Sequence, residues 1–152
     1  MSGSLGDDRG GRLDAANEAR LVEAAREAMG RAYAPYSRFR VGAAILCDDG
    51  TAEGRIVTGC NVENASYPAS LCAERVALGA AVAMGLDRFR AVAVATEADA
   101  PSSPCGICRQ VLAEFAPRMP VVSAAADGVL ARWTMGELLP APFDPDSLAR
   151  GR

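Results

Sequence analysis

Two short stretches hold the side chains of this chain best suited to chemistry near neutral pH. SLCAERVALG, residues 70–79, puts Cys72, Glu74 and Arg75 at the start of an apolar run. SPCGICRQ, residues 103–110, puts Cys105 and Cys108 three positions apart. A helix start with a purely structural role prefers Ser, Asp or Pro in its first turn, so a thiol beside two opposite charges calls for another explanation. Two thiols at i and i+3 share one face of a helix start, where the helix dipole favours thiolate. They can reach one metal ion at about 2.3 Å each, and Cys72 supplies a third sulfur. Thiolate ligands suit Zn²⁺, which supports hydrolysis without redox side reactions.

The number of ligands separates a working site from a structural one. A structural zinc site is closed by four ligands, whereas a catalytic one has three and keeps a position for water. Of the five Cys, Cys47 and Cys60 fall in or at the end of predicted strands, and the chain contains no His, so no fourth ligand is evident. Without His, acid–base work falls to a carboxylate with a shifted pKa, a thiol or a metal-bound water. The C-x-x-C pair alone also fits a redox dithiol or a structural knuckle. Cys-x-Glu followed by Pro-Cys-x-x-Cys is the more specific pattern.

These side chains need elements to position them. Residues 1–12 are rich in Gly, Ser and charge and read as a mobile tail, ahead of one domain over 13–148. Apolar spacing predicts an amphipathic helix over 14–29, broken at Pro35. Strands follow at 41–48 and 55–63, with Asp49-Gly50 as the turn. A helix runs over 71–84 and ends at Gly85, and a continuous apolar strand covers 90–96. The next helix spans 104–115, with Ser103 as its cap and Pro104 at its first position. A strand pair at 120–125 and 129–134, a short helix at 135–139 and a Pro-rich extended tail complete the chain. Alternating strands and helices indicate an α/β fold, one mixed sheet with helices on both faces. Both Cys-bearing helix starts follow strands, which brings them to the strand ends where open sheets bind ligands.

APYSRFRVGAAI, TGCNVENASYPASLCAERVAL, SPCGICRQVLAEF and LLPAPFDPDSL occur in this order across about residues 18 to 148. In these motifs the chain resembles the small cytidine deaminases that assemble as homotetramers. The resemblance implies a three-layer α/β/α sandwich around one mixed five-stranded sheet. It also implies one zinc per chain on Cys72, Cys105 and Cys108, with Glu74 as the proton shuttle. The reaction the resemblance implies is hydrolysis of cytidine, and of 2'-deoxycytidine, to uridine or 2'-deoxyuridine and ammonia, a step of pyrimidine salvage. By position, Asn61 and Glu63 would hold the ribose hydroxyls, and Phe39 and Ala73 would contact substrate. Phe143 would be lent to the site of a neighbouring subunit, so that the tetramer shares its active sites. Arg75 would hydrogen-bond the sulfurs and offset the surplus negative charge of three thiolates around Zn²⁺. Blander readings exist for each: a polar turn at a strand end for Asn61 and Glu63, a core ring for Phe39, a tail anchor for Phe143 and a surface cation for Arg75.

Composition narrows the partners. The formal net charge is −3, and aromatic residues make up 5% of the chain. Both count against a basic, aromatic-lined nucleic-acid groove or an anionic membrane surface. All 16 basic residues are Arg, spread along the chain rather than gathered into a patch. With no apolar run of spanning length and no N-terminal apolar leader, the expected compartment is the cytoplasm. The competing readings are a related deaminase acting on another aminated cytosine-like nucleoside or antibiotic, a polynucleotide editor, and a noncatalytic zinc module.

Overall fold

The computed structural model describes residues 12–150. Thus all but Arg12 of the segment read as a tail lies outside the described residues. The elements are α1 (Ala15–Met29), β1 (Val41–Cys47), β2 (Arg55–Cys60), a 3₁₀ turn (Tyr67–Ala69), α2 (Ala73–Ala83), β3 (Phe89–Thr96), α3 (Gly106–Phe115), β4 (Pro120–Ala124), β5 (Leu130–Thr134), α4 (Met135–Leu138) and α5 (Pro145–Ala149).

The five strands form one sheet in the order β2-β1-β3-β4-β5. β1 is antiparallel to both β2 and β3, β3 and β4 are parallel, and β4 and β5 are antiparallel. The sheet is therefore mixed, as expected. Strand periodicity sorts the core into two layers. Ala43, Ile45 and Cys47 of β1 join Ala73, Ala77, Leu112 and Met135 on the face covered by α2, α3 and α4. Ala44 and Leu46 join Leu21 and Ala25 of α1 on the other face. Each buried Leu or Ile side chain contributes about 1.5–3 kcal/mol of transfer free energy.

Two glycines let helices lie directly on strands. A Cβ at Gly42 would sit 1.9 Å from the Ala25 carbonyl oxygen, so α1 crosses β1 in contact with bare backbone. A Cβ at Gly59 would sit 2.4 Å from the Ala77 nitrogen and 2.6 Å from the Ala73 oxygen. The first turns of α2 are thereby seated on β2. β2 and β3 run in the same direction, so the loops leaving them deliver the starts of α2 and α3 to the same edge of the sheet.

Several boundaries differ from the expectation, each for a local reason. α2 and α3 begin at Ala73 and Gly106, with Cys72 and Cys105 as their N-caps in extended conformation. Ser103 does not cap α3, because the helix starts later and Cys105 takes the cap position; the Ser103 hydroxyl instead accepts a bond from Arg109 Nη2 at 2.7 Å. β2 stops at Cys60, and Val62 instead makes isolated bridges to Tyr33 and Leu71. The β1–β2 connection is a loop over 48–54 rather than a tight turn, and Arg90 holds it through the Thr51 and Ala52 carbonyls. The tail is not extended throughout. Pro145 occupies the first turn of α5, where its missing N–H costs nothing, and Asp144 caps that helix through Ser147.

Candidate active site

Cys105 and Cys108 stand at the N-cap and third position of α3, the spacing at which two side chains meet across a helix start. Cys72 stands at the N-cap of α2. Neither N-cap thiol bonds its own helix backbone, which leaves both sulfurs free to face one another. The Sγ atoms of Cys72, Cys105 and Cys108 all lie within 4.8 Å of one another, and Cys72 and Cys105 are 3.8 Å apart. Ligands at about 2.3 Å from a tetrahedral centre are separated by about 3.8 Å, so the donor set suits Zn²⁺ in both chemistry and spacing. Cys47 and Cys60 are outside this cluster.

Electrostatics support a metal there. The Cys72 thiol is lowered to about 5, first by a hydrogen bond shared with Cys108, then by Cys105 and Arg75, against the opposing effect of burial. Cys108 is raised, first by that same bond and then by burial. The sulfurs thus crowd negative charge into a small volume and keep it only by sharing a proton. Arg75 answers this charge. Burial alone would lower its pKa, but the three cysteines outweigh that and raise it. Its Nη2 donates to the Ser70 carbonyl at 2.9 Å, while its buried Nε has no partner among the described residues. A thiolate is the acceptor that such an N–H lacks.

Glu74 is the second residue of α2 and only 5% exposed. Burial raises its pKa, and the Cys72 charge adds to the effect. A carboxyl group raised in this way can both take and return a proton.

Above these groups lies a cavity of about 310 Å³, at the lower end of the range for small-molecule sites. Phe39, Asn61, Glu63, Ala73, Glu74 and Cys72 all line it. Asn61 is fixed by the strand start it faces: its Oδ1 accepts from the Val41 N–H at 2.9 Å and its Nδ2 donates to the Phe39 carbonyl at 2.8 Å. Glu63 accepts from the backbone N–H of Tyr36 at 2.9 Å and of Ser37 at 3.2 Å, and from the Ser37 hydroxyl. That hydroxyl is the main cause of its lowered pKa, so the group stays a carboxylate. Phe39 is 40% exposed, a rim residue rather than a core ring.

Phe143 does not reach this cavity within its own chain. The residue is 60% exposed, and its backbone is held by Gln110. Sequence reading assigned no site role to several residues around the site. Ser37 orients Glu63, and Thr96, Ser102 and Ser103 line the cavity. Arg109 ties down the loop before Cys105, donating to the Pro104 carbonyl, the Ser103 hydroxyl and the Leu138 carbonyl. The polar pair Arg109-Gln110 early in an otherwise largely apolar helix was the available signal, and it does not say what either side chain binds.

Residues 15–124 match the family described as the cytidine and deoxycytidylate deaminase zinc-binding region. A cytidine deaminase of Sporosarcina psychrophila is 44% identical over 131 residues, spanning 86% of this chain and 93% of that protein. A cytidine deaminase of Burkholderia pseudomallei, known from a crystal structure, is 46% identical with a TM-score of 0.77, covering 82% of this chain and 98% of that one. A blasticidin-S deaminase of Bacillus cereus is 31% identical, over 81% of this chain and 89% of that protein.

Proposed function

The chain belongs to the zinc-binding cytidine and deoxycytidylate deaminase family, and from that membership we propose that it hydrolyses cytidine to uridine and ammonia. The observation that carries the proposal is the placement of a buried carboxyl, Glu74, beside three clustered sulfurs at the base of a cavity lined by Asn61 and Glu63. Cys72, Cys105 and Cys108 would hold one Zn²⁺ per chain. When bound there, zinc supplies Lewis acidity and lowers the pKa of a coordinated water toward neutrality.

The chain's own groups do the rest. Glu74 takes the proton of the attacking water on its carboxylate and delivers it to N3 of the cytosine ring. With the water oxygen now bonded to C4, the same carboxyl takes the remaining proton from that hydroxyl and passes it to the amine, so that the C4–N4 bond breaks, the C4 carbonyl forms and ammonia leaves. One group thus serves as base and then as acid, which its raised pKa favours. Arg75 holds the sulfurs by charge and hydrogen bonding, tempering their donation to the metal. Asn61 and Glu63 bind the ribose hydroxyls, and Phe39 and Ala73 line the space around the base. Glu63, kept ionised by Ser37 and two backbone N–H groups, accepts from a 3'-hydroxyl and repels a 3'-phosphate. That counts against a polynucleotide, and the substrate class we propose is a free nucleoside, 2'-deoxycytidine alongside cytidine.

The working form is a homotetramer whose sites are completed by Phe143 from a neighbour. Its support is the exposure of large apolar side chains, with Tyr67 at 70%, Phe143 at 60% and Met84 at 55%. No helix among the described residues is long and apolar enough to cross a membrane. The role fits a cytoplasmic enzyme of pyrimidine salvage.

The 31% identity to a blasticidin-S deaminase favours one second reading, a cytosine-bearing antibiotic as substrate. Purified zinc-loaded protein decides between them by ammonia release from cytidine, 2'-deoxycytidine and blasticidin S. Efficient release from the nucleosides is expected; release from blasticidin S alone would replace the nucleoside reading.

A further inference from the structure

We propose that Gln110 is a positioning residue that presents Phe143 to the substrate site of another copy of the chain. The inference rests on the shared-site reading above and adds what holds the shared ring in place.

The Gln110 side chain grips both backbone groups of Phe143. Its Nε2 donates to the Phe143 carbonyl at 2.7 Å, and its Oε1 accepts the Phe143 N–H at 3.3 Å. One amide thereby satisfies a donor and an acceptor of the same residue, which fixes the orientation of that residue's backbone as a single bond does not. The grip comes from the helix that carries Cys105 and Cys108, two residues beyond Cys108. Arg109, between them, ties the end of α4 to the same helix through the Leu138 carbonyl. On the other side of Phe143, Asp144 caps α5 through the Ser147 N–H at 2.8 Å. Phe143 is thus held at its backbone by Gln110 and followed by a capped helix, yet stands 60% exposed. Within one chain, this hold leaves Phe143 largely in contact with solvent. It makes sense if the ring must be delivered in a fixed direction to something outside, since loop ordering completed before binding is not charged against affinity.

The chemistry also explains why Gln is needed. Glu keeps the acceptor but loses the donor and sets a carboxylate against a carbonyl oxygen. Met keeps the length and packing but loses both bonds. Asn keeps both groups on a stem one carbon too short.

The test compares cytidine kinetics and zinc content for wild type, Gln110→Met, Gln110→Glu, Phe143→Ala and the Gln110→Met/Phe143→Ala double variant. Gln110→Met should raise KM on the order of tenfold, the effect of losing two ordinary hydrogen bonds, with kcat within about twofold and zinc unchanged. Gln110→Glu should match it, and the double variant should be no worse than Phe143→Ala alone, because both changes remove the same ring from the site. A normal KM for Gln110→Met beside a raised KM for Phe143→Ala would overturn the role of Gln110 and leave the shared site standing. A normal KM for Phe143→Ala would overturn the shared site itself. Strictly additive effects would show that Gln110 acts through some other group and would also overturn the proposal. Circular dichroism and zinc content identify any variant that misfolds, and Gln110→Glu then carries the comparison.

Discussion

Adding one methyl group at Gly59 tests how the sheet seats the catalytic helix. Gly59 lies on β2 beneath the first turns of α2, and a Cβ there would be 2.4 Å from the Ala77 nitrogen and 2.6 Å from the Ala73 oxygen. Both contacts are backbone, so no side chain can swing aside. The helix and strand must separate by about 1 Å to restore ordinary contact near 3.4 Å. Overpacking of this kind costs about 1–3 kcal/mol of stability. The displaced turn carries Glu74 next to Ala73, and Cys72 at its cap. A misplacement of that size costs on the order of 10² in rate when it reaches a reacting group. Gly59→Ala should therefore lose both stability in urea unfolding and kcat on cytidine. Gly42→Ala is the matched comparison: its Cβ would meet the Ala25 oxygen at 1.9 Å, but the helix that must retreat is α1 on the opposite face. It should lower stability while the folded protein keeps most of its kcat. Equal kinetic effects from the two substitutions, or wild-type kcat in Gly59→Ala, would refute the reasoning.

Three further outcomes follow from the site and its rim. Cys105→Ala removes one of three sulfurs, so metal quantitation after dialysis should show zinc lost, with secondary structure largely kept because Cys105 is exposed. Arg40 and Glu97 form an ion pair beside Phe39, with Nε to Oε1 at 2.9 Å, but their side chains are 47% and 35% exposed. A double-mutant cycle on stability should give a coupling below about 1 kcal/mol that shrinks with salt. Ser37→Ala removes the hydroxyl that does most to lower the Glu63 pKa. If Glu63 accepts the ribose hydroxyl as proposed, it does so best as a carboxylate, so uridine binding should weaken as pH falls through its pKa. In Ser37→Ala that fall in uridine affinity should move to higher pH than in wild type, as read by calorimetric titration.

Much of the fold was legible because its signals are local and periodic. The apolar run of β3 and the amphipathic spacing of α1 each fix an element by burial alone; the alternation of strands and helices indicates one mixed sheet, and its five-stranded three-layer form comes with the family resemblance. The residues of the cluster were legible for a chemical reason: thiols at two helix starts in a chain without His leave few alternatives. What sequence reading missed depends on tertiary partners. Ser103 reads as a cap, but Arg109 claims its hydroxyl. Pro140, Pro142 and Pro145 suggest an extended tail, yet Pro145 starts a helix once Asp144 and Ser147 cap each other. Gln110 offers no periodic signal at all, because its partner is the backbone of a residue 33 positions away.

The most direct test of the central claim is the ultraviolet change of cytidine mixed with zinc-loaded wild-type protein and with Glu74→Gln, zinc being measured in both. Glutamine keeps the shape and a hydrogen bond but cannot carry the proton. Wild type should convert cytidine to uridine, while Glu74→Gln retains its zinc and fold and loses turnover by a factor on the order of 10² or more. Near-normal deamination by a zinc-replete Glu74→Gln protein, or no deamination by the wild type, would contradict the account.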